Sequence, residues 1–219
     1  MSCSSDLKAR WEVLTSSYSS EISEKWWLKL EEEYSQESRK YHNLQHIFQI
    51  FQHYDRCSSN LQSKDAVAFA VFFHDLTYNP KTSDNEEKST EIFKNFAKDA
   101  QIPVESPLFV QVTDLILLTK THLTDEHMEP GKTGCEDKHY FLDFDMAILG
   151  NSLEDYNVYS EQIRQEYNFL SDLMYNALRV KVLKSFLQIP YIFATDEFRQ
   201  KYEEQARQNI QAEIERLQG

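Results

Sequence analysis

The chain has 219 residues, of which 41% are hydrophobic, and a formal net charge of −13 from 36 acidic and 23 basic residues. This length and apolar content are sufficient for a domain with a sizeable core. The negative charge argues against binding to duplex nucleic acid, which depends on Lys and Arg neutralising phosphates.

Cysteine content and the absence of long apolar runs bear on location. The three cysteines are odd in number and irregularly spaced, which predicts free thiols in a reducing compartment and no zinc knuckle. The first residues, MSCSSDLKAR, lack the apolar core of a signal peptide. No apolar run approaches the roughly 20 residues that a membrane span needs. We therefore expect a cytoplasmic protein without a membrane partner.

Helical periodicity dominates the sequence from its beginning, and only 4 glycines and 5 prolines are available for turns. All five prolines fall between the predicted helices, where a missing N–H is tolerated. We expect an all-α, single-domain helical bundle over residues 1–219. The predicted helices, in chain order, span 6–18, 21–34, 42–56, 63–76, Ser83 or Asp84 to about 99, 108–121, 152–167, 169–187 and 195–217. A polar loop is expected over 121–140, followed by a short apolar helix in FLDFDMAILG.

The dipeptide His74-Asp75 ends the fourth predicted helix, which is apolar on nearly all sides. Adjacent helical residues lie about 100° apart, so both side chains can reach one ion only if that ion lies near the helix end. The alternative is that His74 is a core imidazole with its hydrogen bonds satisfied and that Asp75 is a surface residue.

Two further segments carry potential metal ligands. His42 and His46 are four residues apart and share one helical face, although one could cap or hydrogen-bond while the other faces the core. His53 lies about 10 Å further along the helix and is expected at the surface. Asp143 and Asp145 enter the short apolar helix, where an acid could bind a metal or cap the N-terminus. Two imidazoles and two carboxylates suit Mn, Fe, Co, Ni or Zn better than Ca.

Several segments together resemble a subfamily of predicted metal-dependent phosphohydrolases of the HD-domain superfamily. The segments are RKYHNLQHI, FFHDLTYNPKTSDNEEKS, LDFDMAILG, YSEQIRQEY and YEEQARQNI. The resemblance implies an all-α bundle of the HD-domain type, with a motif-bearing core over 39–187 and packing helices over 1–38 and 188–219. It implies His46, His74, Asp75 and Asp145 as ligands of a divalent Mn, Fe, Co, Ni, Zn or Mg ion. Asp143 would cap a helix or support the ligands.

The resemblance also implies hydrolysis of a small phosphorylated molecule, such as a nucleotide or a related phosphate ester. The substrate-binding residues would be Arg39, His42, Lys120, Arg164 and Tyr167, with Arg179 and Lys181 as weaker choices. Asp75, Glu86, Glu87 and His122 would be catalytic. The competing interpretations are solvated arginines, a capping box in DNEEKS and exposed histidines at 127 and 139.

Two other functions are compatible with these residues. If both His42 and His122 bind metal, the scaffold could be a di-metal hydrolase or a di-iron oxygenase. The fold could also persist in a non-catalytic regulator that binds a ligand. Four converging polar groups argue against the regulator, because a pure scaffold does not need them.

Overall fold

The computed structural model describes residues 3–219, and about 69% of the chain is helical, which confirms the all-α class. Within residues 3–219 there is no strand; a single isolated bridge joins Gly134 and Thr195. No helix in this part of the chain is long and apolar enough to cross a membrane. The chain divides into two compact units, an N-terminal one up to Thr121 and a C-terminal one from His122 to Gly219.

The N-terminal unit is built from helices close to those predicted. Side chains of Ser19, Asn43 and Ser106 accept hydrogen bonds from main-chain N–H groups at helix starts, as such residues do at N-caps. The helices are α1 (Cys3–Leu14), α2 (Ser20–Tyr34), α3 (Leu44–Cys57), α4 (Lys64–Phe73), α5 (Asn85–Asp99) and α6 (Pro107–Leu118).

Helix α4 forms the centre of this unit. All its residues from 66 to 73 are buried, and it packs against α3, α5 and α6. The ring of Trp11 lies edge-on to those of Phe69 and Phe72, with centroids 6.0 and 5.3 Å away. Because α4 cannot turn or slide without exposing apolar surface, its C-terminal end is held in a fixed position.

The loop after α4 is fastened to α5 by the residues of the DNEEKS segment. The N–H of Thr77 donates to Ser89 Oγ at 3.0 Å, and the Asn85 amide bonds both the N–H and the carbonyl of Asn79 at 3.0 Å. The capping-box interpretation is wrong, because Asp84 makes no side-chain cap hydrogen bond and pairs instead with Lys88 at 2.9 Å.

The C-terminal unit begins with structure where a polar loop was predicted. Helix α8 starts at Asp137, so Asp143 and Asp145 lie in its C-terminal half. The prediction that these two acids stand at the start of a helix is therefore wrong. The elements are α7 (Asp125–Met128), α8 (Asp137–Met146), a 3₁₀ turn (Ala147–Gly150), α9 (Leu153–Glu166), α10 (Asp172–Gln188), α11 (Asp196–Phe198), a π turn (Arg199–Glu203) and α12 (Glu204–Gln218).

The prediction that His127 and His139 are exposed is wrong. His127 and His139 are each only 1% exposed. Each ring accepts a hydrogen bond at Nδ1 from the main-chain N–H three residues earlier, at Thr124 and Glu136, both at 3.0 Å. They therefore take the capping-box position usually held by Glu or Gln. Since Nδ1 accepts, Nε2 of His139 carries the hydrogen and donates to Glu126 Oε2 at 2.9 Å.

Two neighbouring residues in this segment, Glu126 and His127, have lowered pKa values for different reasons. Loss of hydration lowers the pKa of His127 to about 4, and the nearby charge of Arg199 acts in the same direction. Burial by itself would raise the pKa of Glu126, but hydrogen bonds from Thr124, its own main chain and His139 outweigh it and lower the pKa to about 2. Both groups favour the folded state above their unfolded-state pKa values.

Leu149 and Gly150, at the end of the LDFDMAILG motif, lie in the 3₁₀ turn that packs against α12. Asn209 Nδ2 donates to the carbonyls of Leu149 and Asn151, both at 2.9 Å. A Cβ atom added at Gly150 would lie 2.5 Å from Cβ and 2.6 Å from the carbonyl oxygen of Tyr202. Only glycine permits this approach, so the motif and the YEEQARQNI tail are parts of one packing arrangement.

Gly150→Ala should therefore destabilise the protein by about 1–3 kcal/mol, because the 3₁₀ turn and the π turn that carries Tyr202 must move apart. Urea unfolding would measure the change in the free energy of unfolding. Gly219→Ala is the control, since its added Cβ would lie 3.5 Å from the Glu215 carbonyl, an ordinary contact distance. Equal stabilities of the two variants would contradict this packing.

Acid should destabilise the protein in a window set by His127. Below about pH 6.5 the unfolded chain binds a proton at this histidine that the folded protein excludes until about pH 4. The urea midpoint should fall as the pH drops through this window. His127→Gln keeps an acceptor at the capping position and should flatten the fall. Parallel profiles for the two proteins would show that His127 is not responsible.

Candidate metal centre

His74 lies at the C-cap of α4, at the helix end that the sequence predicts. Its ring atom Nδ1 is 3.0 Å from the carbonyl oxygen of Val71. A carbonyl can only accept, so Nδ1 carries the hydrogen and, in the neutral ring, Nε2 presents a lone pair. The turn thus fixes both the orientation and the tautomer of this imidazole, as metal-binding histidines require.

Three side chains converge on one point at this helix end. Asp75 Oδ2 lies 3.2 Å from Nε2 of His74 and 3.7 Å from Nε2 of His46, which comes from α3. One ligand atom of each residue lies within 4.8 Å of the other two, and this group could hold a metal ion. Both rings are buried, whereas the Asp75 side chain is 21% exposed. The carboxylate is therefore the part of the group that solvent reaches.

The chemistry of these donors fits a divalent cation. In the neutral ring, the lone pair at Nε2 of His74 lies 3.2 Å from the carboxylate of Asp75, and a cation bound between these two acceptors would stabilise the arrangement. The C-terminal end of α4 adds the negative end of its dipole. Two imidazole nitrogens and a carboxylate oxygen suit Zn, Mn, Fe, Co or Ni.

Arg39 has a structural role in place of the predicted substrate contact. Its side chain is buried, at 5% exposure. Its Nη1 donates to the carbonyl of Asp75 at 2.6 Å, and its Nη2 donates to that of Leu76 at 2.7 Å. Because these donors are directed at main-chain oxygens, the guanidinium does not present them to a phosphate.

His42 lies beside the candidate ligand His46 but outside helix α3, which carries His46. It precedes α3, which is capped by Asn43, so the shared helical face predicted for His42 and His46 is wrong in detail. Its half-buried ring stacks on Tyr78, with centroids 4.0 Å apart and planes at 24°, and lies 5.8 Å from the His46 ring. Sequence reasoning missed Tyr78, although it lies three residues after Asp75 in the quoted segment FFHDLTYNPKTSDNEEKS. His53 is half-buried, where a surface position was expected.

Lys120 and Glu87 form an ion pair in which both side chains are nearly half exposed. The hydrogen bond from Lys120 lowers the pKa of Glu87, and the same contact raises the pKa of Lys120. Glu87 is thus held as a carboxylate, which disfavours the role of general acid. The half-buried Glu86 lies in the first turn of α5. The catalytic roles of both glutamates stay predictions.

Asp145 and His122 pair with each other in the C-terminal unit. Nε2 of His122 lies 2.8 Å from Asp145 Oδ2, and His122 has the left-handed backbone value φ +52°. The fourth-ligand role of Asp145 and the catalytic role of His122 stay predictions.

Asp143 stabilises the start of a later helix. It accepts hydrogen bonds from the N–H groups of Ala194 and Thr195 at 2.7 and 2.9 Å, and from the Thr195 hydroxyl at 2.6 Å. Thr195 is the N-cap of α11, so Asp143 supports a cap that is distant in sequence.

Arg164 closes the end of its own helix, which explains its position three residues before Tyr167. Nη1 donates to the Tyr167 carbonyl at 3.0 Å, and Nη2 donates to the Leu170 carbonyl at 3.1 Å and to Asp172 at 2.6 Å. Basic side chains commonly satisfy the last carbonyls of a helix in this way. These bonds leave the predicted substrate contact of Arg164 without support, and Tyr167 packs beside Phe169.

Arg179, a weaker candidate, is buried against Glu213, with Nε and Nη2 3.0 and 3.2 Å from its carboxylate oxygens. The other weak candidate, Lys181, is exposed. Neither side chain has a contact that points to substrate.

Comparisons with models of protein families, with curated proteins and with solved structures give no match. The resemblance to HD-domain phosphohydrolases therefore depends on the sequence motifs quoted above.

Asp75→Ala should weaken binding of a divalent ion by at least about 100-fold, because it removes the charged ligand from the group. Titration calorimetry with Zn²⁺ or Mn²⁺ would measure the affinity, and far-UV circular dichroism should show unchanged helicity. Asp65→Ala, at the exposed start of the same helix, is the matched control and should bind as wild type does. Full metal occupancy in Asp75→Ala would refute this centre.

Proposed function

We propose that the chain is a metal-dependent phosphohydrolase that acts on a small phosphorylated molecule, a nucleotide or a related phosphate ester. The observation that carries the proposal is the meeting of His46, His74 and Asp75 at the end of a buried helix. These residues come from two of the motifs on which the resemblance to HD-domain phosphohydrolases depends.

His46, His74 and Asp75 would hold the ion. A divalent ion in such a set lowers the pKa of bound water from 15.7 toward about 7 and polarises a phosphoryl oxygen. The buried histidines give the site a fixed geometry, and Asp75 balances part of the positive charge. Its partial exposure supports an approach of substrate from the solvent side.

An anionic substrate also needs donors from the protein, since the net charge of −13 repels it. His42 is the best-placed candidate, because its ring adjoins the ring of His46 and is supported by Tyr78. Lys120 is a second candidate if substrate displaces Glu87 from it. Arg39 and Arg164 are omitted from this proposal, because their donors serve main-chain carbonyls.

We also propose a cytoplasmic location, which fits three cysteines, Cys3, Cys57 and Cys135, that form no disulfide. Binding of duplex nucleic acid is disfavoured by the negative net charge.

A di-iron oxygenase is the second candidate. The observation in its favour is a further His–Asp pair, His122 and Asp145, at 2.8 Å, since imidazole and carboxylate also bind iron. Metal analysis separates the candidates. Two irons per chain with a characteristic absorption band, and no phosphate release, would favour the oxygenase.

The test is a screen of the metal-loaded full chain against nucleotides and sugar phosphates, with phosphate release as the readout. At least one compound should be hydrolysed, and activity should be lost in EDTA and return with the divalent ion. Asp75→Asn keeps the shape of the side chain and should lower kcat/KM by at least about 100-fold. Activity that Asp75→Asn leaves intact would come from a contaminant and would count against the proposal, as would an inactive wild type carrying metal.

A further inference from the structure

We infer that Arg39 is a positioning residue that sets the spacing between the two chain segments that carry the metal ligands. One segment is the turn before α3, which leads to His46, and the other is the turn after α4, which carries His74 and Asp75. The inference depends on the proposed metal centre, but it concerns a residue that contacts no ligand atom in that centre.

The guanidinium of Arg39 bonds both segments at once. On one side, Nη1 donates to the carbonyl of Asp75 at 2.6 Å and Nη2 to that of Leu76 at 2.7 Å. On the other side, Nη1 donates to the carbonyl of His42 at 3.2 Å. A rigid planar fork therefore connects main-chain atoms of residues 42, 75 and 76. Any change in the distance between the two turns must break one of these bonds.

The guanidinium itself is held in place by burial and by aromatic rings. It lies over the ring of Tyr34 at 5.0 Å and within 5.8 Å of the ring of Tyr78. The Tyr34 hydroxyl donates to the carbonyl of Phe72 at 3.0 Å, so the same tyrosine also binds the last turn of α4. A cation fixed in this way can act as a spacer, which a mobile surface arginine cannot do.

Electrostatics and positioning predict opposite effects when this charge is removed. A buried positive charge beside the ligands repels a divalent ion, so its loss alone would strengthen metal binding. If Arg39 holds the ligands at the correct spacing, its loss weakens binding, because the histidines and the carboxylate no longer converge. Loss of supporting residues around metal ligands typically weakens metal affinity by about 10–100-fold.

The experiment compares Arg39→Met and Arg39→Lys in the full chain. Met keeps an apolar side chain and removes every donor, whereas Lys keeps the charge but cannot form the fork. Co²⁺ is the probe, because calorimetry gives its affinity and its visible spectrum reports the coordination geometry. We expect about 10–100-fold weaker Co²⁺ binding for both variants and an altered spectrum at saturating Co²⁺. Tighter binding by Arg39→Met together with unchanged binding by Arg39→Lys would overturn the inference.

Arg207→Met is the matched control for general loss of stability. Arg207 also bonds main-chain carbonyls, since its Nη2 donates to Ile189 and Pro190 at 3.0 and 2.9 Å, but it lies in the C-terminal unit. It should lower the unfolding temperature while leaving Co²⁺ affinity and the spectrum unchanged. Equal losses of affinity in Arg207→Met and the Arg39 variants would also overturn the inference.

The remaining outcomes separate this inference from the proposed function. If Arg39→Met fails to fold, Arg39→Lys decides alone, because it retains the charge and most of the side-chain stem. If the wild type binds Co²⁺ and the Arg39 variants bind it with unchanged affinity, the positioning role of Arg39 is overturned. That result would still support the metal centre. Wild type that binds no divalent ion would remove the metal centre and, with it, the role of Arg39.

Discussion

The end of helix α4 is the constraint on which the candidate site depends. The body of this helix is buried over residues 66–73, and buried main-chain carbonyls at a helix end need hydrogen-bond donors. The ring of His74, the hydroxyl of Tyr34 and the guanidinium of Arg39 bond carbonyls of residues 71, 72, 75 and 76. The hydrogen bonds that complete this helix end also orient His74 and the main chain of Asp75. Structural and chemical requirements are met by the same atoms.

Several polar residues that were candidates for a binding site instead form hydrogen bonds with main-chain groups at helix ends. With only 4 glycines in 219 residues, few helices can end on a left-handed glycine, so long side chains satisfy the last carbonyls. Arg164 does this for α9. His127 and His139 perform the equivalent task at helix starts. An arginine or histidine inside a motif can therefore serve to cap a helix. The residue type alone does not identify a binding residue.

Some residues of the short motifs supply candidate ligands, and others supply packing contacts. The His74-Asp75 pair and His46 contribute the atoms that converge. Asn85 and Ser89 fasten the loop after α4 to α5, and in the C-terminal unit Gly150 allows the close approach of Tyr202. The motifs thus include residues whose contribution is geometric, which is the general pattern for sites built on helix ends.

The sequence by itself predicted most of the helices, and placed the end of α4 within three residues, because apolar periodicity and proline positions are local properties. It also determined that His74 and Asp75 are adjacent at that end. It did not predict α7 or the start of α8, which lie in the expected polar loop. Only the tertiary structure decided that His46 joins them, that Arg39 bonds the carbonyls of residues 75 and 76, and that the histidines at 127 and 139 are buried. The contacts of His46 and Arg39 join residues about 30 or more positions apart in sequence, and burial depends on the packing of whole helices. Local hydrophobic periodicity therefore predicts neither these long-range contacts nor the burial of these histidines.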